Sequence, residues 1–374
     1  MTTGKLIRDL RTARGWSQAR LADELTEHAG VPISREYISR RWESCKYQPS
    51  PFWLRHLAAV LDVPLAVMES DVDRRKFLAS FAATAVAPGI ASDLLAQGFT
   101  ARLQGAGPGI EQWEHTLVGY GADYMTSGAA EIQKRLAVDL AIIQQQCDYP
   151  RMWAHAARLM TLFAKTFPGS DGAKAVQWYR MAAESADRSG DVNTRVWVRG
   201  RAAIALGYEG ASLPIANMFA DQAIAISDKP SLGRLNAIYG KAHAAAITGD
   251  ADTARALDAD GRRMFDQSGS EDAEASDYAV PYWRLGVFRS LLRARLGDEA
   301  EAVDAQDEAR RLLPPTLPRF STHLEMHRGL MLVRAGDRNA GVAYAQTALD
   351  ALPPEKHSLT LRMLMEEITG DRAG

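Results

Sequence analysis

The sequence predicts an all-α chain in two parts, a small head of short helices followed by a long array of helix pairs. Three observations carry that prediction. Near the N-terminus, four apolar stripes recur at helical spacing, and the last three are each preceded by a serine suited to capping. Further on, a Gly-Asp dipeptide recurs at Gly249, Gly297 and Gly336, each time after an apolar helix and before an alanine-rich one. Between the two parts lies an alanine-rich segment with the character of a buried helix.

In the head, Gly4 to Arg14 reads as a first helix with Leu6, Ile7 and Leu10 on one face and Gly15 just past its end. Ser17 caps a second, "SQARLADELTE", in which Leu21, Ala22 and Leu25 recur at helical spacing. After a turn containing Gly30 and Pro32, Ser34 caps a third, with Tyr37, Ile38 and Trp42 available for packing. Ser50 caps a fourth, with Pro51 at the first helical position, a buried stripe of Leu54, Leu57, Ala58 and Leu61, and Val63 and Pro64 at its end. Three short helices with two tight breaks permit a helix-turn-helix. Residues 1–56 carry ten Lys/Arg against six Asp/Glu in a chain whose net charge is −2, so an acidic polymer would bind at this end.

Through "GWSQARLADEL" and "SREYISRRWESCKYQPS" the head resembles the Xre/lambda-repressor-like helix-turn-helix regulators, over roughly residues 4–69. In that family the start of the third helix enters the major groove and the start of the second touches the phosphate backbone. The resemblance implies that Gln18 contacts phosphate or base, that Ser34, Arg35, Glu36 and Tyr37 face the groove, and that Lys46 contacts phosphate. Arg40 and Arg41 belong to the same DNA-binding set. The partner implied is double-stranded DNA, bound by a homodimer. Two departures stand out. The family has one residue between Ser39 and the tryptophan, whereas this chain has Arg40 and Arg41, which shifts the end of the third helix by one position, about 100°. Cys45 stands where the family has the glycine that ends the helix in the left-handed conformation, at a cost of roughly 1 kcal/mol. Its thiol lies near Arg41 and Lys46 in sequence, which raises a redox reading; the expectation is drift at a helix end with no switch.

The segment Asp73 to Ser92, "DRRKFLASFAATAVAPGIAS", looks like a twin-arginine export signal, but it follows a complete domain, and export signals are N-terminal. It is expected to be an interdomain helix packing Phe77, Leu78 and Phe81, similar to the junction of actinobacterial regulators. The domains expected are 1–69, a linker over 70–110, and a repeat domain over 111–374.

In the repeat domain, small residues stand five positions after each turn glycine (Ala254, Ala302, Gly341), twelve after (Gly261, Ala309, Ala348) and seven before (Ala242, Ser290, Gly329). Large apolar residues follow at sixteen (Phe265, Leu313, Leu352), and Pro314 and Pro353 close two frames. This set resembles tetratricopeptide repeats over about residues 150–370, with Gly210 and Gly190-Asp191 marking looser early units. The glycine-to-glycine spacings of 48 and 39 exceed the usual 34, so the units are lengthened. The resemblance implies an α-solenoid whose first helices line a concave groove. Counting back thirteen, ten and six residues from each turn glycine selects Asn236, Tyr239 and His243, then Arg284, Val287 and Leu291, then His323, Met326 and Leu330. A groove with those groups suits an extended peptide or a small-molecule effector.

Composition and motifs exclude other classes. The 374 residues are 47% apolar and 24% charged, enough for two to three soluble domains. No apolar run reaches a membrane span, and "MTTGKLIRDL" lacks a signal's apolar region, so a cytoplasmic protein is expected. Cys45 and Cys147 form no CxxC, so neither a disulfide framework nor a zinc site is expected. No phosphate-binding glycine loop, HExxH or GxSxG occurs, and no enzyme or cofactor is expected. His323 and His327, at i and i+4 with no third ligand nearby, are expected on a helix surface. The function expected is sequence-specific transcription regulation with an effector-sensing or dimerising repeat domain; the alternative is a repeat scaffold tethered to DNA by its head.

Overall fold

The computed structural model describes residues 3–13, 16–61, 68, 108–127, 129–167, 172–271, 275–353 and 356–370. Every regular element among them is a helix, and the chain divides into two compact units, Met1–Gly89 and Ile90–Gly374. The expected linker helix with Phe77, Leu78 and Phe81, and the helix end at Val63 and Pro64, lie outside the described residues. No helix among the described residues is long and apolar enough to cross a membrane.

The first unit holds α1 (Thr3–Ala13), α2 (Gln18–Ala29), α3 (Arg35–Tyr37, continued by a π-helical turn over Ile38–Glu43) and α4 (Pro51–Val60). Their apolar stripes meet in one core around Leu6, Ile7, Leu21, Leu25, Ile38, Trp42, Leu57 and Leu61. Ser17 and Ser34 cap as the sequence predicts, accepting from the backbone N–H of Arg20 and Tyr37. Ser50 holds the cap position of α4, but its hydroxyl accepts no cap bond; the preset φ of Pro51 at the first helical position starts the helix.

The extra arginine does not displace the end of α3 as expected. The wider π turn absorbs one residue, so Ile38 and Trp42 are both buried, 0% and 1% exposed, while Arg40 and Arg41 stay outside. Cys45 takes the left-handed backbone that the sequence reserves for glycine, with φ 62°, and its N–H returns to the Trp42 carbonyl at 2.9 Å. Gly4 makes this packing possible: a Cβ there would overlap the Trp42 carbonyl.

The second unit begins with α5 (Ile110–Thr126) and α6 (Ala129–Ile143), followed by five helix pairs and a last helix. The pairs are α7 (Pro150–Ala164) with α8 (Gly172–Ser189), α9 (Val192–Glu209) with α10 (Leu213–Ile226), α11 (Leu232–Ile247) with α12 (Ala251–Ser268), α13 (Tyr282–Leu296) with α14 (Glu299–Leu312), and α15 (Pro318–Arg334) with α16 (Arg338–Asp350). The last helix is α17 (Leu359–Thr369). Within four pairs a glycine with positive φ makes the turn: Gly210 (70°), Gly249 (85°), Gly297 (74°) and Gly336 (99°). Asp250 and Asp337 then cap the next helix, whereas Asp298 pairs with Arg255 and Arg293 instead. Gly190-Asp191 is placed differently from the expectation of an early unit's inner turn. It joins α8 to α9 and so links one pair to the next.

Two helices of successive pairs approach very closely. Gly200 and Gly207 on α9 face Gly233 and Gly240 on α11, and a Cβ at Gly233 or Gly240 would lie 2.6 Å from the backbone of Trp197 or Ala203. This reciprocal seam brings backbone against backbone. The small residues selected around the Gly-Asp turns allow close contacts within pairs: Gly329 lies against Gly341 and Ala345, and Gly261 against the Tyr239 ring.

Candidate functional site

On the head, the residues expected to meet DNA fall into two groups. Arg35, Glu36, Tyr37, Arg40, Arg41 and Lys46 are exposed. Ser34 is spent on capping, and the Arg41 guanidinium lies 5.0 Å from the Tyr37 ring centroid and 5.1 Å from that of Tyr47. Gln18 is turned toward the protein, its Nε2 donating at 2.7 Å to Oε2 of buried Glu43. Arg11 donates to the other oxygen at 2.7 Å, and Arg8 stands at 3.6 Å. Burial alone would raise the Glu43 carboxyl; the Arg11 and Gln18 donors and the Arg8 charge hold it below its ordinary value. Glu43 thus clamps α1 and the start of α2 to the end of α3.

The second unit contains a cavity of ≈ 90 Å³ that opens to solvent and draws its walls from distant parts of the chain. Lys165 comes from the end of α7, Arg201 and Glu209 from α9, Asp277 from the connection between α12 and α13, Arg284 from α13, and Arg319 from α15. Tyr124, Tyr208 and His323 add polar atoms, and Ile204, Val287 and Phe320 add apolar wall.

Asp277, with a side chain 0% exposed, gathers three cations: Lys165 Nζ at 2.5 Å and Arg201 and Arg284 Nη2 at 2.9 Å each. Burial opposes its charge, but those cations hold the carboxyl well below its usual range. The connection carrying it is pinned on both sides. The Asp277 N–H donates to the Gly121 carbonyl at 2.8 Å, and Arg284 Nη1 donates to the carbonyls of Ser276, Asp277 and Ala279. Gly121 is required there, since a Cβ would meet Ser276 and the Tyr278 ring. Burial, and behind it Arg201, depresses the Lys165 ammonium well below its ordinary value despite Asp277 beside it. Burial, then Arg319, lowers His323 to about 3, which keeps its imidazole neutral. Burial raises the Glu209 carboxyl to about 7, while Thr360, donating at 3.0 Å, and Lys165 oppose that rise.

Of the groove residues selected by counting, Arg284, Val287 and His323 line this cavity. Asn236, Tyr239, His243, Met326, Leu291 and Leu330 are placed elsewhere, all at 1% exposure or less. Asn236 and His243 lie three residues beyond Gly233 and Gly240, on the stripe that α9 covers; His243 Nδ1 accepts from Arg295 at 3.0 Å, and burial keeps the ring neutral. Tyr239 donates to Asp258 of α12 at 3.1 Å, inside its own pair. Met326 belongs to the core. The histidine pair of α15 is not on a helix surface as expected, because that face packs inward: His327 bonds Tyr208 at 3.0 Å and Ser290 at 2.8 Å. Among the described residues no group of three His, Cys, Asp or Glu side chains is placed to hold a metal. Burial, then Asp148, raises the Cys147 thiol to about 11, so it stays protonated.

Counting missed Lys165, Arg201, Glu209, Asp277 and Arg319. Two signals were available: two arginines, Arg199 and Arg201, inside the otherwise apolar run "VWVRGRAAIALGY", and the long Gly249-to-Gly297 spacing, whose surplus is the connection bearing Asp277. No family model, curated protein or solved structure matches this chain.

Proposed function

We propose that the protein is a cytoplasmic, sequence-specific DNA-binding transcription regulator. Its head is an Xre-type helix-turn-helix, and its second unit is a tetratricopeptide-like α-solenoid that senses a peptide or small-molecule effector and joins two copies. The observation that carries the reading is the division of α3. Ile38, Trp42 and Glu43 are buried in the head, while Arg35, Glu36, Tyr37, Arg40 and Arg41 lie outside, and Lys46 extends the positive surface. A helix that commits one face to the core and leaves guanidinium groups outside suits major-groove reading, where arginine pairs with guanine. Effector and DNA are coupled if effector binding in the solenoid changes the spacing of the two heads.

The test starts with genome-wide immunoprecipitation of bound DNA to obtain an operator. In mobility-shift titration at fixed salt, Arg35→Ala is expected to weaken operator binding by about 1–3 kcal/mol with the fold retained. Lys46→Ala is expected to weaken specific and nonspecific DNA alike. Parent-like binding by both variants, or no enriched DNA, refutes the reading.

A further inference from the structure

The cavity between α9, α13 and α15 gathers four cations, Lys165, Arg201, Arg284 and Arg319, against two carboxylates, Asp277 and Glu209. Buried charge is ordinarily balanced by partners, and here three of the four cations share one carboxylate, Asp277. Arg319 spends its Nη2 on the Tyr124 and Met125 carbonyls, which leaves its charge uncompensated by any acid among its hydrogen-bond partners.

A second observation is independent of that sum. Among the described residues, three polar atoms on the cavity's lining residues have no hydrogen-bond partner, namely Arg201 Nε, Arg284 Nε and His323 Nδ1. The three residues are 3%, 5% and 5% exposed. Buried donors without acceptors are rare in native proteins because each forfeits its solvation. Guanidinium groups around one recess with apolar walls are what an oxyanion with a short hydrophobic body would satisfy.

We propose that this cavity is a binding site for a compact oxyanion, a carboxylate or phosphate held by Arg201 and Arg284, with its apolar body against Val287, Phe288 and Phe320. The proposal deepens the sensor reading and rests on it for its regulatory meaning, though not for the binding itself. Asp277 is then a positioning residue: it fixes the Arg201 and Arg284 guanidinium planes through their Nη2 atoms. The oxyanion has two sources, a free small anion or the C-terminal carboxylate of a peptide.

Calorimetric titration of the full chain without DNA tests it, with inorganic phosphate, benzoate, and the peptide Ala-Ala-Leu-Phe bearing either a free or an amidated C-terminus. Binding of at least one oxyanion is expected, with at least a tenfold loss of affinity in Arg201→Gln. Ala205→Phe fills the recess with every cation in place and is expected to lose binding equally, so it carries the test if Arg201→Gln fails to fold. Tenfold preference for the free over the amidated peptide assigns the anion to a peptide terminus; binding of phosphate or benzoate with no peptide preference assigns it to a free ion. No binding of any probe at millimolar concentration, or parent-like affinity in Ala205→Phe, overturns the site. Binding that leaves operator affinity unchanged supports the site and refutes the sensor reading alone.

Discussion

Replacing Asp277 with asparagine keeps the shape and removes the one anion that Lys165, Arg201 and Arg284 share. At their separations of 2.5 to 2.9 Å the gross attraction is roughly 6 kcal/mol for each pair at an effective dielectric near 20. Desolvation and repulsion among the cations cancel most of that sum. What remains measurable is the penalty of leaving buried cations without a counter-charge, about 3–5 kcal/mol. For a unit of this size the expected fall in melting temperature is roughly 6 to 20 °C. Because the folded carboxyl is held well below its ordinary value, its contribution is present above the unfolded pKa and is lost as pH falls towards the folded one. The gap between parent and Asp277→Asn in urea titrations is therefore constant from about pH 5 to 8 and narrows below about pH 4. A gap under 1 kcal/mol at pH 7, or one that widens in acid, refutes the charge-hub account.

Three further outcomes are expected. Cys45→Gly relieves a left-handed backbone of φ 62° and stabilises the head by about 1 kcal/mol, read as slower hydrogen exchange of α1 and α3 amides in the full chain; slower exchange in the parent refutes it. Gly240→Ala places a Cβ 2.6 Å from the Ala203 backbone and costs about 1–3 kcal/mol or more in thermal melts, whereas Gly119→Ala, with nothing within 4 Å, is neutral or stabilising by up to about 1 kcal/mol; equal effects refute the seam. Glu209, raised to about 7, adds stability that is complete below its unfolded value and is lost as pH rises through 7, by at most roughly 3 kcal/mol. Urea titrations of Glu209→Gln from pH 5 to 8 are expected to lack that decline, and a parallel decline in both proteins refutes the assignment.

Helix caps, the Gly-Asp turns and the small-residue frame were legible because they are local: each depends on a few neighbouring φ/ψ values or on one helix face. The stripe of Leu6, Ile7 and Leu10 and the turn at Gly249 needed no tertiary knowledge. The cavity was not legible in the same way, since Lys165, Arg201, Asp277 and Arg319 meet only through the stacking of successive pairs. Counting from the turns picked Arg284 and His323, which α13 and α15, the first helices of their pairs, bring to the cavity wall. It failed for Asn236 and His243 because glycines on α9 and α11 bring those helices too close to leave a groove. Propensity has no view of such closeness; the seven-residue spacing of Gly200 with Gly207, and of Gly233 with Gly240, does.

The π turn over Ile38–Glu43 also bears on how this head can change by deletion. Removing Arg40 or Arg41 would bring Trp42 from four residues after Ile38 to three, which on an ordinary helix is still the same face. Such a shortened chain is expected to fold with the same core, having given up one guanidinium from its outer surface. Helix interiors are usually the least forgiving place for a change in chain length. Here one codon can be lost without disturbing Trp42 and Ile38, so the outer charge of the head can evolve independently of the residues that hold it together.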